Sequence, residues 1–420
     1  MVEIRKPIPV NRAIEKVMKH KKNGEIETIS FHECDYRRLA EPIIADNPIP
    51  AFDKSPYDGF ALRAEDTLFA SPDNPIEFEV IDHIGAGIVS DKTLEKGQAV
   101  RIMTGAEIPK GADCVAMFEV CQQWEDADKK YMAITSKFEP GTNIIEKGSE
   151  VVAGQVLVEA GVLIDAGVKA LLATFGYAEV KVAKQPVIGV IATGTELLDV
   201  HEALEPGKIR NSNAYMVCSQ ILRSGAKYQY LGKLADDFQT GYDTIKVALN
   251  KVDVLITTGG VSVGDFDLMP AILKELGAEI LFNKIAMRPG SVTTVAVIDN
   301  KFLFCLSGNP SACYVGFELF TRPIIQTLLY NKRPYLKRIK ATFVDDLPKA
   351  NPFTRFVRTY IAYEEGKVCA KLAGMDKSNV VSSLAHTNAL MMLPGGTSGY
   401  TSGDKVEVLL LNDMEGQEVF

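Results

Sequence analysis

The stretch from Asp253 to Asp267 reads Asp-Val-Leu-Ile-Thr-Thr-Gly-Gly-Val-Ser-Val-Gly-Asp-Phe-Asp. An apolar β-type run leads into a glycine-rich turn, and two acids stand where the next helix would begin. Gly259, Gly260 and Gly264 carry no Cβ, so backbone N–H groups can approach anionic oxygens closely. The stretch therefore predicts a strand, an anion-holding loop and a helix in succession. Taken by itself, Asp267 is explained more simply as the N-cap of that helix.

The alternation of strand and helix continues on both sides of this stretch. An apolar strand over Val187 to Ile191 precedes a helical pattern over Ala214 to Leu222, and Phe302 to Leu306 precedes a longer one over Ala312 to Leu329. Further strands are expected over Tyr228 to Leu234 and Val292 to Ile298, and further helices over Thr244 to Leu249 and Leu268 to Leu276. This alternation indicates a doubly wound parallel sheet with helices on both faces. Ligands of such sheets bind at the carboxyl ends of the strands, so the loops that follow them are expected to share one rim.

The N-terminal region and a later segment are expected to form one domain. Asn11 is predicted to cap a helix whose apolar positions Ile14, Val17 and Met18 fall on one face. Residues 143–182 contain repeated glycine turns and a short helical pattern, and we expect this segment to return to the N-terminal helix. The region between the two is then an insertion.

Two regions have a β pattern. Between about Pro48 and Pro140, short β-type runs such as Glu77 to Ile84 alternate with Gly, Pro and Asp, and similar runs follow Pro334. These patterns are typical of a small β module and of a terminal β-barrel or sandwich. We therefore predict a multidomain α/β protein. Its domains are an elongated N-terminal helical domain over residues 1–50 and 141–182, an inserted β-rich module over 51–140, the α/β domain over 183–331 and a C-terminal β-barrel over 332–420.

The composition excludes several classes of protein. The chain has 420 residues, which suggests about three domains at roughly 150 residues each. Hydrophobic residues make up 46% and charged residues 24%, which is typical of a globular protein rather than a disordered one. The net charge of -8 gives no general affinity for nucleic acid. Neither an N-terminal apolar signal region nor a run of about 18 apolar residues is present, so we expect no membrane helix and a cytoplasmic location.

The cysteines and histidines form no readable metal or disulfide pattern. The 7 cysteines are scattered without a Cys-x-x-Cys pair, and the 5 histidines are equally dispersed. Reduced and mostly buried thiols are therefore expected.

Acidic residues follow three strands of the predicted sheet. Glu196 follows the first, Asp236 or Asp237 the second, and Asp265 or Asp267 the third. Each acid alone is more often a cap or a solvated turn residue, but their positions after successive strands favour a shared site. Clustered carboxylates repel each other unless a cation lies among them, so we expect a hard divalent metal, Mg²⁺, acting on a phosphate-containing substrate.

The positive side of this site is expected from the segment Lys284 to Ser291. Lys284 and Arg288 follow a short strand, and arginine binds phosphate or another oxyanion with two hydrogen bonds. A solvated basic turn explains the same residues equally well. Asn309 and Pro310 have the pattern of an N-cap and a first helical residue, although free amides there also suit an anion.

Two motifs in the β module place a polar side chain directly before glycine. They are Ser-Pro-Tyr-Asp-Gly-Phe from Ser55, with Asp58, and Arg-Ile-Met-Thr-Gly-Ala from Arg101, with Thr104. As turn residues, neither Asp58 nor Thr104 requires a function.

Taken together, these motifs resemble the MoeA family of molybdopterin molybdenumtransferases, which is related to the E domain of gephyrin. The resemblance spans nearly the whole chain, with the motifs in the same order. Thr193 to Leu197 matches Thr-Gly-x-Glu-Leu, and Gly-Gly-Val-Ser-Val-Gly from Gly259 matches outright. The family consists of elongated four-domain homodimers.

The resemblance implies a role for residues in two of the predicted domains. The implied catalytic residues are Asp58, Thr104, Glu196, Asp236 and Asp267, and the implied metal ligands are Glu196, Asp236 and Asp267. The implied substrate- and anion-binding residues are Lys284, Arg288, Ser291, Gly259, Gly260, Ser262, Gly264, Ser307, Asn309 and Pro310.

Three departures from the family pattern affect these assignments. Ser291 replaces a lysine of the usual Lys-Pro-Gly-Lys-Pro, which weakens or redistributes anion binding. Ser307 replaces the first proline of Pro-Gly-Asn-Pro, and Ile145 replaces an arginine. The implied carboxylates are all retained.

The resemblance implies the insertion of molybdate into adenylylated molybdopterin with release of AMP, with Mg²⁺ as the metal. It also implies, as partners, a second copy of the chain, the molybdopterin adenylyltransferase and the molybdoenzymes that receive the cofactor. Nucleic acid and membrane are not expected as partners. Each active site of the homodimer is expected to combine Asp58 and Thr104 of one chain with the rim of the other.

Two other functions compete with this hypothesis. A gephyrin-like scaffold would keep the fold and bind a partner peptide through the terminal β domain, but it gains nothing from clustered carboxylates. A different nucleotide-processing enzyme, as in the competence-damage family, would use the α/β domain alone, and the Asp58 and Thr104 motifs count against it.

Overall fold

The computed structural model describes residues 6–234, 237–260, 268–348 and 351–411. Several residues predicted above lie outside the described residues, namely Asp236, Ser262, Gly264, Asp265 and Asp267. Within the described ranges, no helix combines the length and the apolar character needed to cross a membrane.

The helices and strands follow the chain in a clear order. The helices are α1 (Val10–Lys19), α2 (Ala166–Thr174), α3 (Asn213–Arg223), α4 (Phe238–Lys251), α5 (Met269–Glu275), α6 (Pro310–Gly316) and α7 (Arg322–Leu328). A π-helical turn over Phe317–Thr321 joins α6 to α7. The N-terminal strands are β1 (Ile26–Ser30), β2 (Ile43–Ile44), β3 (Gly59–Leu62), β4 (Ile76–Ile84), β5 (Gln98–Ile102), β6 (Cys114–Met117), β7 (Cys121–Asp126), β8 (Lys129–Ile134), β9 (Val156–Val158) and β10 (Glu179–Ala183).

The remaining strands belong to the second half of the chain. They are β11 (Val187–Thr193), β12 (Leu197–Leu198), β13 (Ile209–Arg210), β14 (Lys227–Leu234), β15 (Val254–Thr258), β16 (Glu279–Phe282), β17 (Met287–Arg288), β18 (Thr294–Ile298), β19 (Lys301–Leu306), β20 (Arg338–Phe343), β21 (Thr354–Glu364), β22 (Lys367–Leu372), β23 (Ala389–Leu393) and β24 (Lys405–Leu410).

The chain divides into two compact units. One contains Met1–Glu41, Ala160–Asp165 and Glu179–Phe420, and the other contains Pro42–Glu159 and Ala166–Ala178.

The first unit contains the predicted α/β sheet. Its strands lie in the order β14-β11-β15-β19-β18-β16, and the first four are parallel. Residues of α3, α6 and α7 are buried in one apolar cluster and residues of α4 and α5 in another, so helices cover both faces. The expected parallel sheet has one antiparallel edge, where β18 is antiparallel to β19 and β16. Asp299 and Asn300 form a two-residue turn with positive φ angles of 47° and 61°, which joins neighbouring antiparallel strands.

The start of the chain differs from the prediction in two ways. Pro9 stands at the N-cap position of α1 with a φ of -59°, so Asn11 already lies inside the helix and is not its cap. The buried residues Ala13 and Val17 attach α1 to the α/β core. The returning segment pairs with the first strand instead of that helix, because β10 forms an antiparallel ladder with β1.

The end of the first unit is a closed five-stranded barrel. Strands β21, β22, β20, β24 and β23 pair in sequence, and β23 pairs back to β21. The β-type runs after Pro334 predicted a barrel or sandwich here, and the pairing of β23 with β21 closes it as a barrel. The short strand β17 adds to the edge of β21 and places Arg288 opposite Arg355. The barrel is therefore joined directly to the segment that was predicted to bind anions.

The second unit contains the predicted β module. Its sheet has the order β6-β3-β5-β4-β8-β7, around buried side chains such as Phe60, Leu62 and Phe78. A Cβ atom at Gly59 would collide with the Ala116 carbonyl, so the glycine of the first motif is required by the packing of β3 on β6.

No disulfide joins any of the 7 cysteines, all of which lie in the described ranges, and 6 of them are buried. The expectation of reduced, mostly buried thiols is confirmed.

Candidate functional site

Three strand-ending loops of the α/β sheet meet at its carboxyl edge. β11, β15 and β19 are parallel neighbours, so their ends lie side by side. The Gly259 N–H donates to the Leu306 carbonyl at 2.8 Å, and the Thr193 hydroxyl donates to the Thr258 carbonyl at 3.3 Å. A Cβ atom at Gly259 would lie 2.6 Å from the Thr193 carbonyl oxygen, and one at Gly308 would lie 3.7 Å from the Gly259 Cα. Only glycine permits this close approach at position 259, where φ is 104°.

The neighbouring Gly260 has the same constraint. Its φ is 64°, and a Cβ atom there would lie 2.9 Å from the Thr193 Oγ1. The two predicted loop glycines described by the structure thus bring the end of β15 against the end of β11. Asn309 stands at the N-cap position of α6 and Pro310 is the first residue of that helix, as predicted, although the Asn309 side chain makes no capping bond with the described chain.

Glu196 lies on this rim and is exposed. Its carboxylate folds over Gly194, since a Cβ atom at that position would lie 2.5 Å from Glu196 Oε2. Gly194, with a φ of 141°, carries no Cβ, and this leaves room for the carboxylate. The Glu196 carbonyl accepts the Ile209 N–H at 2.9 Å, which ties the loop to the short β12–β13 pair. The acid is therefore held at the rim while its oxygens remain open to solvent.

One acid of the pair after β14 is a helix cap. Asp237 caps α4, with Oδ2 accepting the Thr240 N–H at 2.8 Å and the Thr240 hydroxyl at 2.7 Å. These bonds, the hydroxyl first, lower the pKa of the Asp237 carboxyl. Asp237 is thereby committed to the helix, and Asp236, to which the family resemblance points, lies outside the described residues.

The described part of the predicted metal set is compatible with a hard cation. Within the described ranges no three His, Cys, Asp or Glu side chains gather as a metal site, and only Glu196 of the three implied ligands falls in those ranges. Its exposed carboxylate oxygens, which lie over Gly194, are the kind of donor that Mg²⁺ prefers.

A pocket of about 490 Å³ lies between the α/β sheet and the barrel. It is lined by four residues predicted to bind anions, namely Arg288, Ser291, Ser307 and Asn309. The barrel contributes Arg355, Arg358 and Asp376. Three guanidinium-bearing residues around one cavity make it suited to a small oxyanion.

Arg358 is the most buried cation in this pocket, with 1% of its side chain exposed. Its Nε donates to the Ser383 hydroxyl at 3.0 Å, and its Nη2 donates to the Met375 and Lys377 carbonyls, each at 3.1 Å. Its Nη1 lies 3.0 Å from Asp376 Oδ1, without the alignment of a hydrogen bond. Burial lowers the pKa of the Arg358 guanidinium, and the Asp376 charge partly offsets this effect.

Lys284 is not among the residues that line this pocket. It is half-buried, and its carbonyl accepts the Ile8 N–H at 3.2 Å. The loop that follows it turns at Gly290, where a Cβ atom would lie 2.8 Å from Met287 Cε and 3.3 Å from the Ala312 carbonyl oxygen. This close packing holds Arg288 and Ser291 against the start of α6.

One short loop separates the pocket from the rim. Ser307 and Asn309 line the pocket, whereas Gly308 between them faces Gly259 of the rim. The Ser307 hydroxyl accepts the Asn309 N–H at 3.2 Å and shapes this turn. An anion in the pocket and a metal at the rim would thus lie on opposite sides of three residues.

The two motifs of the β module form a single polar pair. Asp58 Oδ1 accepts the Thr104 N–H at 2.7 Å and the Thr104 hydroxyl at 2.9 Å. These bonds, the backbone one first, lower the pKa of the exposed Asp58 carboxyl, and the charge of Arg101 acts in the same direction. Arg101 lies over the Phe118 ring with its Cζ 4.5 Å from the ring centroid, and it donates to Gln123 at 3.1 Å. Asp58 is therefore a fixed negative charge that faces solvent.

Sequence reasoning missed Arg355, Arg358 and Asp376. Arg355 precedes the apolar residues of β21 and Arg358 interrupts them, and charged residues inside a buried strand need a partner. That interruption was the available signal, but it does not identify which residues share the pocket.

Three family sequence profiles match the chain in order. Residues 8–176 match the MoeA N-terminal region (domain I and II), and residues 189–327 match a probable molybdopterin binding domain. Residues 340–411 match the MoeA C-terminal region (domain IV).

Known proteins match along the whole chain. The molybdopterin molybdenumtransferase of Bacillus subtilis (strain 168) is 56% identical over 418 residues, which are 100% of this chain and 97% of that relative. The protein of the same name from Staphylococcus aureus (strain MSSA476) is 48% identical over 418 residues, with 100% and 99% covered. Crystal structures of a molybdopterin biosynthesis MoeA protein from Pyrococcus horikoshii superpose with TM-scores of 0.87 and 0.79 at 29% identity, covering 97% and 96% of this chain and 100% of each of those chains. The chain therefore belongs to the MoeA family of molybdopterin molybdenumtransferases.

Proposed function

We propose that this protein inserts molybdate into adenylylated molybdopterin and releases AMP. The observation that carries the proposal is the pocket bordered by Arg288, Arg355 and Arg358, which shares the loop Ser307 to Asn309 with the rim that holds Glu196. A site for a small oxyanion and a site for a phosphate-bound metal would thus be neighbours. The names of the full-length relatives support the same chemistry.

The chain's own residues would contribute mainly binding and position. The guanidiniums of the pocket hold the oxyanion through charge-assisted hydrogen bonds, and the Ser291 and Ser307 side chains contribute neutral donors. The loop at Gly259 and Gly260 gives the substrate phosphates close access to backbone N–H groups. Holding the oxyanion beside the dithiolene replaces a bimolecular encounter by a local one, and this proximity supplies much of the rate.

We propose Mg²⁺ as the resident metal, held by Glu196 with Asp236 and Asp267. When bound there, the ion would neutralise charge on the phosphate groups as AMP leaves. Glu196 would be one ligand among three, so its neutral isostere Gln would keep the shape and lose the charge.

We further propose that the protein works as a cytoplasmic homodimer. Asp58 and Thr104 of one chain would complete the site at the rim of the other, as the family resemblance implies. Its other partners would be the adenylyltransferase that supplies the substrate and the molybdoenzymes that receive the product.

The decisive experiment incubates the purified protein with adenylylated molybdopterin, Mg²⁺ and molybdate, and measures AMP by chromatography. We expect AMP release that depends on molybdate and falls at least about a hundredfold in Glu196→Gln. The matched control is Glu205→Gln, at an exposed acid in the loop between β12 and β13, and it should match the wild type. AMP release without molybdate, or none at all, would contradict the proposed reaction.

A further inference from the structure

The pocket lined by Arg288, Arg355 and Arg358, here called the arginine pocket, also contains an acid, Asp376. The proposed reaction does not use this acid. Its Oδ2 accepts the Arg355 Nε at 2.8 Å and lies 2.5 Å from the Arg355 Nη2, while its Oδ1 lies 3.0 Å from the Arg358 Nη1. Only 10% of its side chain is exposed. Resting on the proposed function, we propose that Asp376 is an internal competitor of the oxyanion, which occupies guanidinium positions that the oxyanion needs and so limits its affinity.

The charges of the pocket support this role. Arg288, Arg355 and Arg358 contribute three positive charges and Asp376 one negative charge, so the net charge of these residues is 3 − 1 = +2. A tetraoxo dianion such as molybdate balances that charge. Without Asp376 the pocket would carry a charge of +3 and hold the dianion more tightly. Tight binding of the free oxyanion does not speed its transfer, because it stabilises the ground state.

The hydrogen bonds of Arg358 show that Asp376 is not needed to orient the Arg358 guanidinium. Ser383 and the Met375 and Lys377 carbonyls already fix Nε and Nη2, so the plane of the guanidinium does not depend on Asp376. The Nη1 is left with Asp376 as its charged neighbour and without an aligned hydrogen bond. This nitrogen is the donor that an incoming oxyanion would take over.

The segment that carries Asp376 is fixed to the α/β domain. The Ser311 N–H donates to the Ser378 carbonyl at 3.1 Å, and the Ser311 hydroxyl donates to the Val380 carbonyl at 2.8 Å. These bonds do not involve Asp376, so a substitution there leaves the wall of the pocket in place. Its effect on binding then reports the lost charge together with the release of the Arg355 guanidinium, which Asp376 holds through Nε and Nη2.

The test titrates Asp376→Asn and the wild type with molybdate alone and measures the heat of binding by calorimetry. We expect the variant to bind molybdate at least about tenfold more tightly, because one opposing charge near the dianion is removed. In the AMP-release assay, the KM for molybdate should fall in the variant, and its kcat should not rise. Without ligand, Tm should fall, and saturating molybdate should raise Tm more in the variant than in the wild type.

The control is Glu364→Gln, which also removes one negative charge from the barrel. Glu364 is an exposed partner of Lys371 at the far end of β21, so molybdate binding should stay at the wild-type value. If Asp376→Asn does not fold, Asp376→Ser is measured in the same way, with the same expected gain.

The outcomes of the two proposals are distinguishable. If the wild type binds molybdate and a folded Asp376 variant binds it equally or more weakly, Asp376 is an orienting residue and the inference is overturned, while the transferase proposal stands. If the wild type shows no molybdate-dependent AMP release, the proposed function fails whatever the Asp376 variants bind.

Discussion

The β module and the arginine pocket each hold a carboxylate in place, but in opposite settings. Asp58 is exposed and takes both of its hydrogen bonds from one neutral residue, Thr104. Asp376 is nearly buried and takes its contacts from two guanidiniums. The first arrangement exposes a negative charge to solvent. In the second, the negative charge is neutralised by arginines, and the pocket keeps a net positive charge. An aspartate thus provides an exposed negative charge in the β module, and in the pocket it neutralises part of the positive charge of the arginines.

The largest effect on this contrast is expected from Arg358→Met. The substitution removes one partner of a buried ion pair, so the free energy of unfolding should fall by about 3 kcal/mol in urea titrations. Loss of a buried donor from the pocket should also lower molybdate-dependent AMP release at least about a hundredfold.

The matched control for that variant is Arg338→Met, on the outside of the same barrel. Arg338 is 58% exposed and lies 3.4 Å from Glu407. Its loss should cost less than about 1 kcal/mol and leave AMP release unchanged. Wild-type stability and turnover in Arg358→Met would remove the pocket from the account.

A smaller effect is expected from Thr104→Val, which deletes one of the two bonds to Asp58. The pKa of Asp58 lies below its usual value, so its charge contributes to stability at neutral pH and this contribution is lost as the pH falls through the folded-state pKa. The variant should raise the Asp58 pKa and move the acid limb of the pH–rate profile to higher pH, with a loss of about tenfold in kcat.

Thr401→Val is the control for this change. Thr401 donates its N–H at 2.8 Å and its hydroxyl at 3.3 Å to Asp404 in the same pattern, but on the barrel. The control should leave the pH–rate profile unmoved. An unshifted profile in Thr104→Val would mean that Asp58 does not titrate in the reaction.

Mixing two inactive variants tests whether the β module of one chain completes the active site of a second copy. Asp58→Ala and Glu196→Gln should each be inactive as pure dimers. Random mixing should restore about a quarter of wild-type activity, because half of the dimers then contain one unmutated site. Subunit exchange is verified with two affinity tags, and no recovery after proven exchange would mean that each site is built within one chain.

The smallest effect is expected from Cys369→Ser. The thiol is buried in the barrel on β22, and no disulfide involves it. We expect AMP release to stay at the wild-type level, with a loss of about 1 kcal/mol in stability for burying a hydroxyl. Complete inactivation with the fold intact would show that the thiol takes part in the chemistry.

The sequence predicted the rim better than the pocket for a physical reason. Each rim loop carries its own signal, because the close approach at Gly259 requires glycine and each loop follows an apolar strand. Arg358 and Asp376 meet only when the barrel closes, and no local pattern links them.

Two errors in the predicted fold have local causes. Asn11 was expected to cap the first helix because of its side chain, but the helix starts earlier, directly after Pro9. The antiparallel edge of the sheet was missed although Asp299 and Asn300, between two apolar runs, are typical of a tight hairpin. These two turn residues indicate the antiparallel edge, which the alternation of strand and helix does not.

The proposed reaction requires the oxyanion to bind in the arginine pocket beside the rim. The most direct measurement is anomalous diffraction at the molybdenum edge from crystals of the wild-type protein soaked in molybdate. We predict an anomalous peak within hydrogen-bond distance of the Arg288 and Arg358 guanidiniums, next to Ser307. A peak found only outside this pocket, in crystals of protein that releases AMP with molybdate, would contradict the account.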